Sequence, residues 1–104
     1  MIEQKQLLSI ISLIKNITKT DEIYVFGSYA NGSQKENSDL DIAVIKDDIS
    51  HENEESFAIR KKLLETDYVP LDLFFLDRKK FSERKDFYGN LYNEVAKKGK
   101  KFNV

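Results

Sequence analysis

The 104-residue sequence predicts a small α/β protein in which a mixed β-sheet is flanked by helices. Two observations predict this fold class. Short β-branched and aromatic runs alternate with longer segments that carry apolar residues at helical spacing. Hydrophobic residues make up 40% of the chain and charged residues 34%, as in a globular protein with an ionic surface. Because this length supports one hydrophobic core, we expect a single domain over residues 1–104.

The elements are predicted in the order helix, strand, turn, strand, helix, strand, helix. The predicted helices cover about residues 3–19, 52–66 and 78–98, and the predicted strands cover residues 23–26, 40–45 and 71–76. About ten residues connect the first two strands, whereas a parallel pair usually needs a dozen or more. We therefore expect these two strands to be antiparallel and the sheet to be mixed. Residues 100–104 could add a short edge strand or a tail.

Each helix is predicted from its apolar stripe. The first helix carries Leu7, Ile10, Ile11, Ile14 and Ile17 on one face. The second helix has a weak stripe of Phe57, Leu63 and Leu64. The last helical region has a predicted core stripe of Phe87, Tyr88, Leu91, Tyr92 and Val95. Gly99 is well placed to end it.

Composition and charge exclude several functional classes. The net charge of -1 gives no sign of a dedicated nucleic-acid binder, so no direct nucleic-acid binding is predicted. The absence of cysteine and the single His51 leave only oxygen ligands for a metal, as Mg²⁺, Mn²⁺ and Ca²⁺ prefer. No apolar run approaches the roughly 20 residues of a membrane span, and the N-terminus does not resemble a signal peptide. We therefore expect a cytoplasmic protein without membrane contact.

Two acidic residues stand at alternate positions at the start of the second predicted strand. Asp39 and Asp41 should project to the same face, where they repel each other unless a cation lies between them. Asp72 is the single acid inside the apolar third strand, and it can join them if the second and third strands are neighbours. Three converging carboxylates form an all-oxygen site. Two Mg²⁺ ions about 4 Å apart usually occupy such a site in nucleotidyl chemistry.

The turn after the first strand is a candidate anion site. Gly27 lets the backbone approach an anion closely, and Ser28 adds a hydroxyl donor. Residues 29–32 could form one helical turn, whose backbone N–H groups would bind phosphate. A nucleoside triphosphate between this turn and the metal ions would occupy both halves of the site.

These residues resemble the DNA polymerase β-like nucleotidyltransferase superfamily. Gly27-Ser28, ten further residues and then Asp39-Leu40-Asp41 match its Gly-Ser-x10-Asp-x-Asp signature. The sequences around both motifs look like the minimal nucleotidyltransferases (MNT proteins), which are small prokaryotic catalytic modules, and Asp72 matches the third carboxylate. The resemblance covers nearly the whole chain and implies a palm-like nucleotidyltransferase fold. One departure is Asn31, where many relatives carry Arg or Lys.

The resemblance implies a Mg²⁺-dependent enzyme that transfers a nucleoside monophosphate, with AMP from ATP as the expected case, to a hydroxyl and releases pyrophosphate. Asp39 and Asp41 would bind both metal ions. Asp72 would bind the catalytic ion and help to deprotonate the acceptor. Gly27 and Ser28 would hold the β- and γ-phosphates.

The resemblance also implies a protein partner. MNT proteins are commonly encoded beside a HEPN-domain RNase toxin, which they neutralise as antitoxins, in some pairs by attaching AMP to a toxin tyrosine. We therefore expect a hetero-oligomer with a HEPN-domain toxin. Two alternatives stay open: an antitoxin with weak catalysis that neutralises its partner by binding alone, and transfer to a small molecule.

Plainer interpretations of several features are also possible. The acidic pair could be surface acids at a strand start, but its coincidence with the glycine turn and the third carboxylate disfavours this. The aromatic residues Phe87, Tyr88 and Tyr92 are predicted to belong to the core rather than to a base-stacking surface. A large apolar remainder outside the core would instead indicate a partner interface. The lysines of residues 97–101 are predicted to form a solvated helix end.

Overall fold

The structure is a computed structural model that describes residues 3–20, 22–27, 39–66 and 69–102. These residues form helices and strands in the order helix, strand, strand, helix, strand, helix, helix, strand. The helices are α1 (Gln4–Thr18), α2 (Glu52–Glu65), α3 (Arg78–Arg84) and α4 (Leu91–Lys98), and the strands are β1 (Ile23–Phe26), β2 (Leu40–Lys46), β3 (Leu71–Asp77) and β4 (Lys100–Phe102). Within the described ranges, none of the helices has the length and apolar character that a membrane crossing requires.

The strands form a mixed sheet in the order β3-β2-β1-β4. β1 is antiparallel to both β2 and β4, whereas β2 and β3 are parallel. This arrangement confirms the predicted antiparallel first pair and the predicted mixed sheet. α2 provides the crossover that the parallel pair needs. The C-terminal residues that could have been a strand or a tail include the short edge strand β4.

α1 and α2 cover one face of the sheet. Ile11 and Ile14 are completely buried because the apolar residues of α1 recur on one side of the helix. The helix ends at Lys19, which has a φ of 63° and whose backbone N–H donates to the Lys15 carbonyl oxygen at 2.8 Å. The core on this face comprises Leu7, Ile10, Ile11, Ile14, Ile23, Val25, Leu40, Ile42, Val44, Ile59, Leu63, Leu71 and Phe102.

α2 enters this core through Leu63, as predicted, together with Ile59, which the predicted stripe did not include. Ile59 and Leu63 are buried, whereas Phe57 and Leu64 are each 69% exposed. The prediction for Phe57 and Leu64 was therefore wrong. The buried pair has i, i+4 spacing and fixes the rotation of the helix, and the i, i+7 spacing of the exposed pair then places both side chains on the outer side.

α3 and α4 pack on the other face, whose core comprises Phe26, Ala43, Ile45, Leu76, Phe81 and Val95. The predicted continuous helix over residues 78–98 was wrong, because the chain leaves the helix between α3 and α4. Gly89 has a φ of 94°, which no α-helix contains. The Asn90 side chain then accepts a hydrogen bond from the Asn93 backbone N–H at 2.8 Å and begins α4.

The break changes the predicted stripe of the last helix. Three of its residues pack against the second core as predicted, namely Leu91, Tyr92 and Val95. Phe87 and Tyr88 do not, since they are 65% and 98% exposed in the connection between the helices. Gly99 follows α4 as predicted. A Cβ atom there would lie 2.3 Å from the Val95 carbonyl oxygen, so glycine is required by space at this helix end.

Candidate active site

The register of the sheet brings two of the predicted site residues together. Asp41 on β2 lies directly opposite Asp72 in the parallel pair with β3. It also lies opposite Phe26 in the antiparallel pair with β1. Neighbouring strands are about 4.8 Å apart, so the two acidic side chains begin from adjacent positions. The second and third strands are thus neighbours, which was the condition for Asp72 to join the acidic pair.

Strand alternation places both carboxylates on the face that α3 and α4 cover. In β2, Ala43 and Ile45 belong to the core on that face, and Asp41 has the same parity. In β3, Phe74 packs against the same core, and Asp72 has its parity. Both acids therefore lie at the end of this face, just beyond its apolar residues.

The remaining predicted site residues are placed less completely. Asp39 directly precedes β2, has an exposed side chain and lies at i−2 from Asp41, which gives it the same parity in an extended chain. Ser28 lies outside the described residues, and so does the helical turn predicted at residues 29–32.

Two aromatic rings border the acids on the same face. Phe26 lies opposite Asp41, and Phe74 lies two residues beyond Asp72. Their ring centroids are 5.3 Å apart with an interplanar angle of 62°, which is a favourable edge-to-face contact across β2. The rings give the acids an apolar border and tie the three strands together at this point.

Gly27 forms the turn at the end of β1, and two independent constraints require a glycine there. Its φ is 73°, a left-handed conformation that other residues adopt only with strain. A Cβ atom at this position would lie only 2.3 Å from the Asp41 Oδ2 atom. The backbone at Gly27 therefore packs directly against the Asp41 carboxylate, so the predicted phosphate turn and the predicted metal ligand are in contact.

The electrostatic environment of Asp41 disfavours its charged form. Burial is the largest influence that raises its pKa above the ordinary value of 3.8, and the negative charges of Asp72, Asp39 and Glu94 raise it further. The acids thus repel one another, as carboxylates that serve as cation ligands do. A positive charge placed among them would remove this penalty.

Glu94 was not predicted from the sequence. It lies in the first turn of α4, its side chain is exposed, and its charge acts on Asp41. The packing of Leu91, Tyr92 and Val95 places this turn over the sheet. Asn90 could have indicated that a helix begins there with Glu94 in its first turn, but not that this turn packs near the acids.

The fold and this arrangement agree with a known protein family. Residues 9–100 match the family described as "Polymerase beta, Nucleotidyltransferase". The chain belongs to this family. The membership confirms the resemblance to the polymerase β-like superfamily, and it confirms the predicted nucleotidyltransferase fold with a mixed sheet between helices.

Within the polymerase β nucleotidyltransferase family, the chain is similar to the protein adenylyltransferase MntA of Shewanella oneidensis. The two are 55% identical over 40 residues, which cover 38% of this chain and 29% of that protein. The chain thus spans less than a third of the length of this curated relative.

Two crystal structures share the fold. One is a mutant of the toxin–antitoxin MntA-HpeT, with a TM-score of 0.62 and 24% identity over 99% of this chain and 75% of that chain. The other is a toxin–antitoxin with AMP-PNP, with a TM-score of 0.60 and 25% identity over 92% of this chain and 73% of that one. Both extend the fold assignment over most of the chain.

The donor atoms of the site fit the Mg²⁺ ions that the resemblance implies. Asp39, Asp41 and Asp72 offer carboxylate oxygens, which hard divalent cations prefer, and their charges oppose one another without a cation. In residues 3–20, 22–27, 39–66 and 69–102, no three acidic, histidine or cysteine side chains already converge as metal ligands. The fit therefore rests on donor chemistry and strand register, and binding would require the side chains to turn towards each other.

Proposed function

We propose that this chain is a Mg²⁺-dependent protein adenylyltransferase that transfers AMP from ATP to a hydroxyl of a partner protein and acts as an antitoxin. The observation that carries the proposal is the alignment of Asp41 with Asp72 beside the Gly27 turn. Further support comes from the nucleotidyltransferase family, from the similarity to MntA, and from the fold shared with a toxin–antitoxin structure that contains AMP-PNP.

The proposed reaction is an in-line nucleotidyl transfer. The acceptor oxygen forms a bond to the α-phosphorus of ATP, the bond from that phosphorus to the α–β bridging oxygen breaks, and pyrophosphate leaves. The acceptor hydroxyl loses its proton during the attack. Bound Mg²⁺ would neutralise the triphosphate and lower the pKa of the acceptor hydroxyl.

The chain's own residues would position the reactants. Asp39 and Asp41 would hold both ions. Asp72, which is exposed on the edge strand β3, would share one ion and receive the acceptor proton. The Gly27 backbone and the Ser28 hydroxyl would bind the β- and γ-phosphates, so that the α-phosphate lies above the acids.

The proposed acceptor is a hydroxyl on a HEPN-domain toxin. An exposed Asp72 suits a large acceptor, because a protein side chain can reach it without entering a cavity. The shared fold with two toxin–antitoxin structures supports a toxin as the partner. Attachment of AMP to the toxin would then neutralise it within a hetero-oligomer.

A labelling experiment tests this function. The purified chain is incubated with α-phosphate-labelled ATP and Mg²⁺, with and without the product of any adjacent gene, a HEPN-domain protein in our proposal, and compared with the Asp39→Asn/Asp41→Asn variant. We expect label on the partner only with the unmodified chain. The same incubation is repeated with labelled GTP, CTP and UTP. A tight complex that silences the toxin without transfer from any of the four nucleoside triphosphates would show that the chain acts by binding alone.

A further inference from the structure

An acceptor can reach the carboxylates from only one side of the sheet. Asp41 and Asp72 project to the face that α3 and α4 cover. The opposite face is filled by the core under α1 and α2, and about 10 Å separates packed layers. A partner that presents a hydroxyl to these acids must therefore approach on the face that carries α3 and α4, where the exposed connection between these helices is available for contact.

Exposed aromatic side chains lie on this side. Phe87 and Tyr88 in the α3–α4 connection are 65% and 98% exposed. Neither belongs to a core cluster. The connection is tied to α4 by a hydrogen bond, in which the Asn93 side-chain amide donates to the Lys85 carbonyl oxygen at 2.7 Å. Adjacent exposed aromatic rings are typical of a protein interface, where aromatic residues often contribute most of the binding energy.

Exposed basic residues lie on the same connection and beside it. Arg84 and Lys85 precede them and are exposed, and Lys97 of α4 lies beside the same connection, with its Nζ atom 3.5 Å from the Asp86 Oδ1 atom. Lys98 is also exposed at the end of α4. We call the residues 84–88 with Lys97 and Lys98 the aromatic–basic rim. It leads into α4, whose first turn carries Glu94 towards Asp41.

The charge of the chain is divided unequally along the sequence. Residues 78–104 contain nine Lys or Arg and three Asp or Glu, a net charge of +6, whereas residues 1–77 contain eight and fifteen, a net charge of -7. The overall charge of -1 hides this separation. Charges act over only about 8 Å at physiological salt, so the residues of the rim itself matter most to a partner there. They comprise Arg84, Lys85, Lys97 and Lys98 and one acid, Asp86, a net charge of +3.

We propose that the aromatic–basic rim is the docking surface for an acidic protein segment that carries the acceptor hydroxyl. The inference rests on the proposed function and adds the binding surface and the charge of the partner. Apolar side chains of the segment would pack on Phe87 and Tyr88, while its carboxylates would face Arg84, Lys85 and Lys97.

A protein segment suits this surface better than a nucleic acid. A phosphate backbone that continued from the rim to the site would approach Glu94, Asp72, Asp41 and Asp39 with negative charge at every nucleotide. A protein segment can place its acids at the rim and a neutral hydroxyl at the carboxylates. The rim therefore favours a protein segment, whose side-chain charges can differ from one end to the other.

The test uses the ¹⁵N-labelled full chain in an NMR titration with three probes. Two are synthetic peptides of equal length that contain one tyrosine and the same leucines, one rich in Asp and Glu and the other rich in Lys. The third is an oligouridine RNA. We expect the acidic peptide to shift amide signals of residues 84–88 and 97–98 and to bind more weakly as salt rises. Tighter binding of the RNA or of the basic peptide would overturn the inference.

Two variants locate the binding. Phe87→Ser/Tyr88→Ser should lower the affinity for the acidic peptide by about tenfold or more. Phe57→Ser/Leu64→Ser removes a similarly exposed apolar pair from α2, behind the sheet, and should change the affinity by less than about twofold. Equal effects of the two variants would overturn the inference.

The same peptide separates this inference from the proposed function, because docking requires neither ATP nor metal. If the acidic peptide binds at the rim but neither it nor the toxin is ever labelled, adenylyl transfer fails and the docking surface stands. If the Phe87/Tyr88 variant labels the toxin as efficiently as the unmodified chain does, transfer stands and the docking surface fails.

Discussion

The two faces of the sheet are built from the same strands but are covered very differently. On one face, α1 and α2 have 15 and 14 residues and enclose a continuous aliphatic core. On the other face, α3 and α4 have 7 and 8 residues and are about 10–12 Å long, whereas β2 has 7 residues and extends about 23 Å. The short helices therefore leave part of β2 and of the equally long β3 uncovered, and Asp41 and Asp72 lie in that part.

This difference assigns separate tasks to the two faces. Burial of aliphatic side chains under α1 and α2 provides most of the apolar stabilisation. The second face instead gathers acids whose charges repel one another, which is unfavourable for folding and useful for binding a cation. Changes on the first face should alter stability, and changes at the uncovered end of the second should alter activity.

The largest predicted effect is the loss of transfer when the acids are neutralised. Asp39→Asn/Asp41→Asn should lower the rate of AMP transfer by about 10³-fold or more, because neutral amide oxygens bind divalent ions much more weakly than carboxylates do. Circular dichroism should show an unchanged fold. Asp48→Asn is the matched control: Asp48 accepts a hydrogen bond from the Ser50 backbone N–H at 2.9 Å at the far end of β2, and an amide oxygen can accept it too. Substantial transfer by the double variant would refute the assignment.

A substitution that creates a cavity in the core under α1 should reduce stability strongly and leave activity unchanged. Ile11 is completely buried under α1, and Ile11→Ala should reduce the free energy of unfolding by about 2–4 kcal/mol. Leu8 lies on the same helix and is 39% exposed, so Leu8→Ala should reduce the free energy of unfolding clearly less. Urea denaturation measures both. If transfer per folded molecule also fell in Ile11→Ala, the separation of tasks between the faces would not hold.

A substitution at Gly27 should lower both the stability of the fold and the rate of transfer. Gly27→Ala should reduce stability by about 1–2 kcal/mol through its left-handed backbone, and the new Cβ atom should displace the Asp41 carboxylate and lower transfer about 100-fold. Gly89→Ala is the control, because Gly89 also has a positive φ but has no atom within 4 Å of a Cβ. Gly89→Ala should lose stability and keep activity. Equal activity of the two variants would show that the contact with Asp41 is irrelevant.

The closed face could be predicted from the sequence because local patterns determine it. The apolar spacing of α1 is helical, and the second and third strands are nearly uninterrupted apolar runs. The short connection also predicted the antiparallel first pair. The pairing of Asp41 with Asp72 stayed conditional, because nothing in the sequence established that the second and third strands are neighbours.

The second face could not be predicted as fully, because tertiary packing determines it. Phe87 and Tyr88 have helical spacing with Leu91, and only the conformation of Gly89 and the cap of Asn90 show that the helix is interrupted. The approach of Glu94 to the acids depends on how α4 packs, for which a sequence gives no direct signal.

The smallest predicted effect is a pH-dependent gain in stability from the single variant Asp41→Asn. The folded protein raises the pKa of Asp41, so the carboxyl group favours folding fully below the unfolded value of about 3.8 and loses that contribution as pH rises through the folded value. At pH 7 without divalent cations, the variant should therefore be more stable by at most about 1 kcal/mol, after allowance for solvent screening. Near pH 3 the gain should disappear.

The Asp48→Asn variant should show the opposite trend in the same denaturation series. The hydrogen bond from the Ser50 backbone lowers the pKa of Asp48, so its carboxylate stabilises the fold above the unfolded value and loses this effect as pH falls. The free energy of unfolding of Asp48→Asn should therefore lie below that of the unmodified chain by more at pH 7 than at pH 3. If Asp41→Asn gave the same gain at every pH, the gain would come from packing rather than charge, and the carboxylates would not repel one another as the structure indicates.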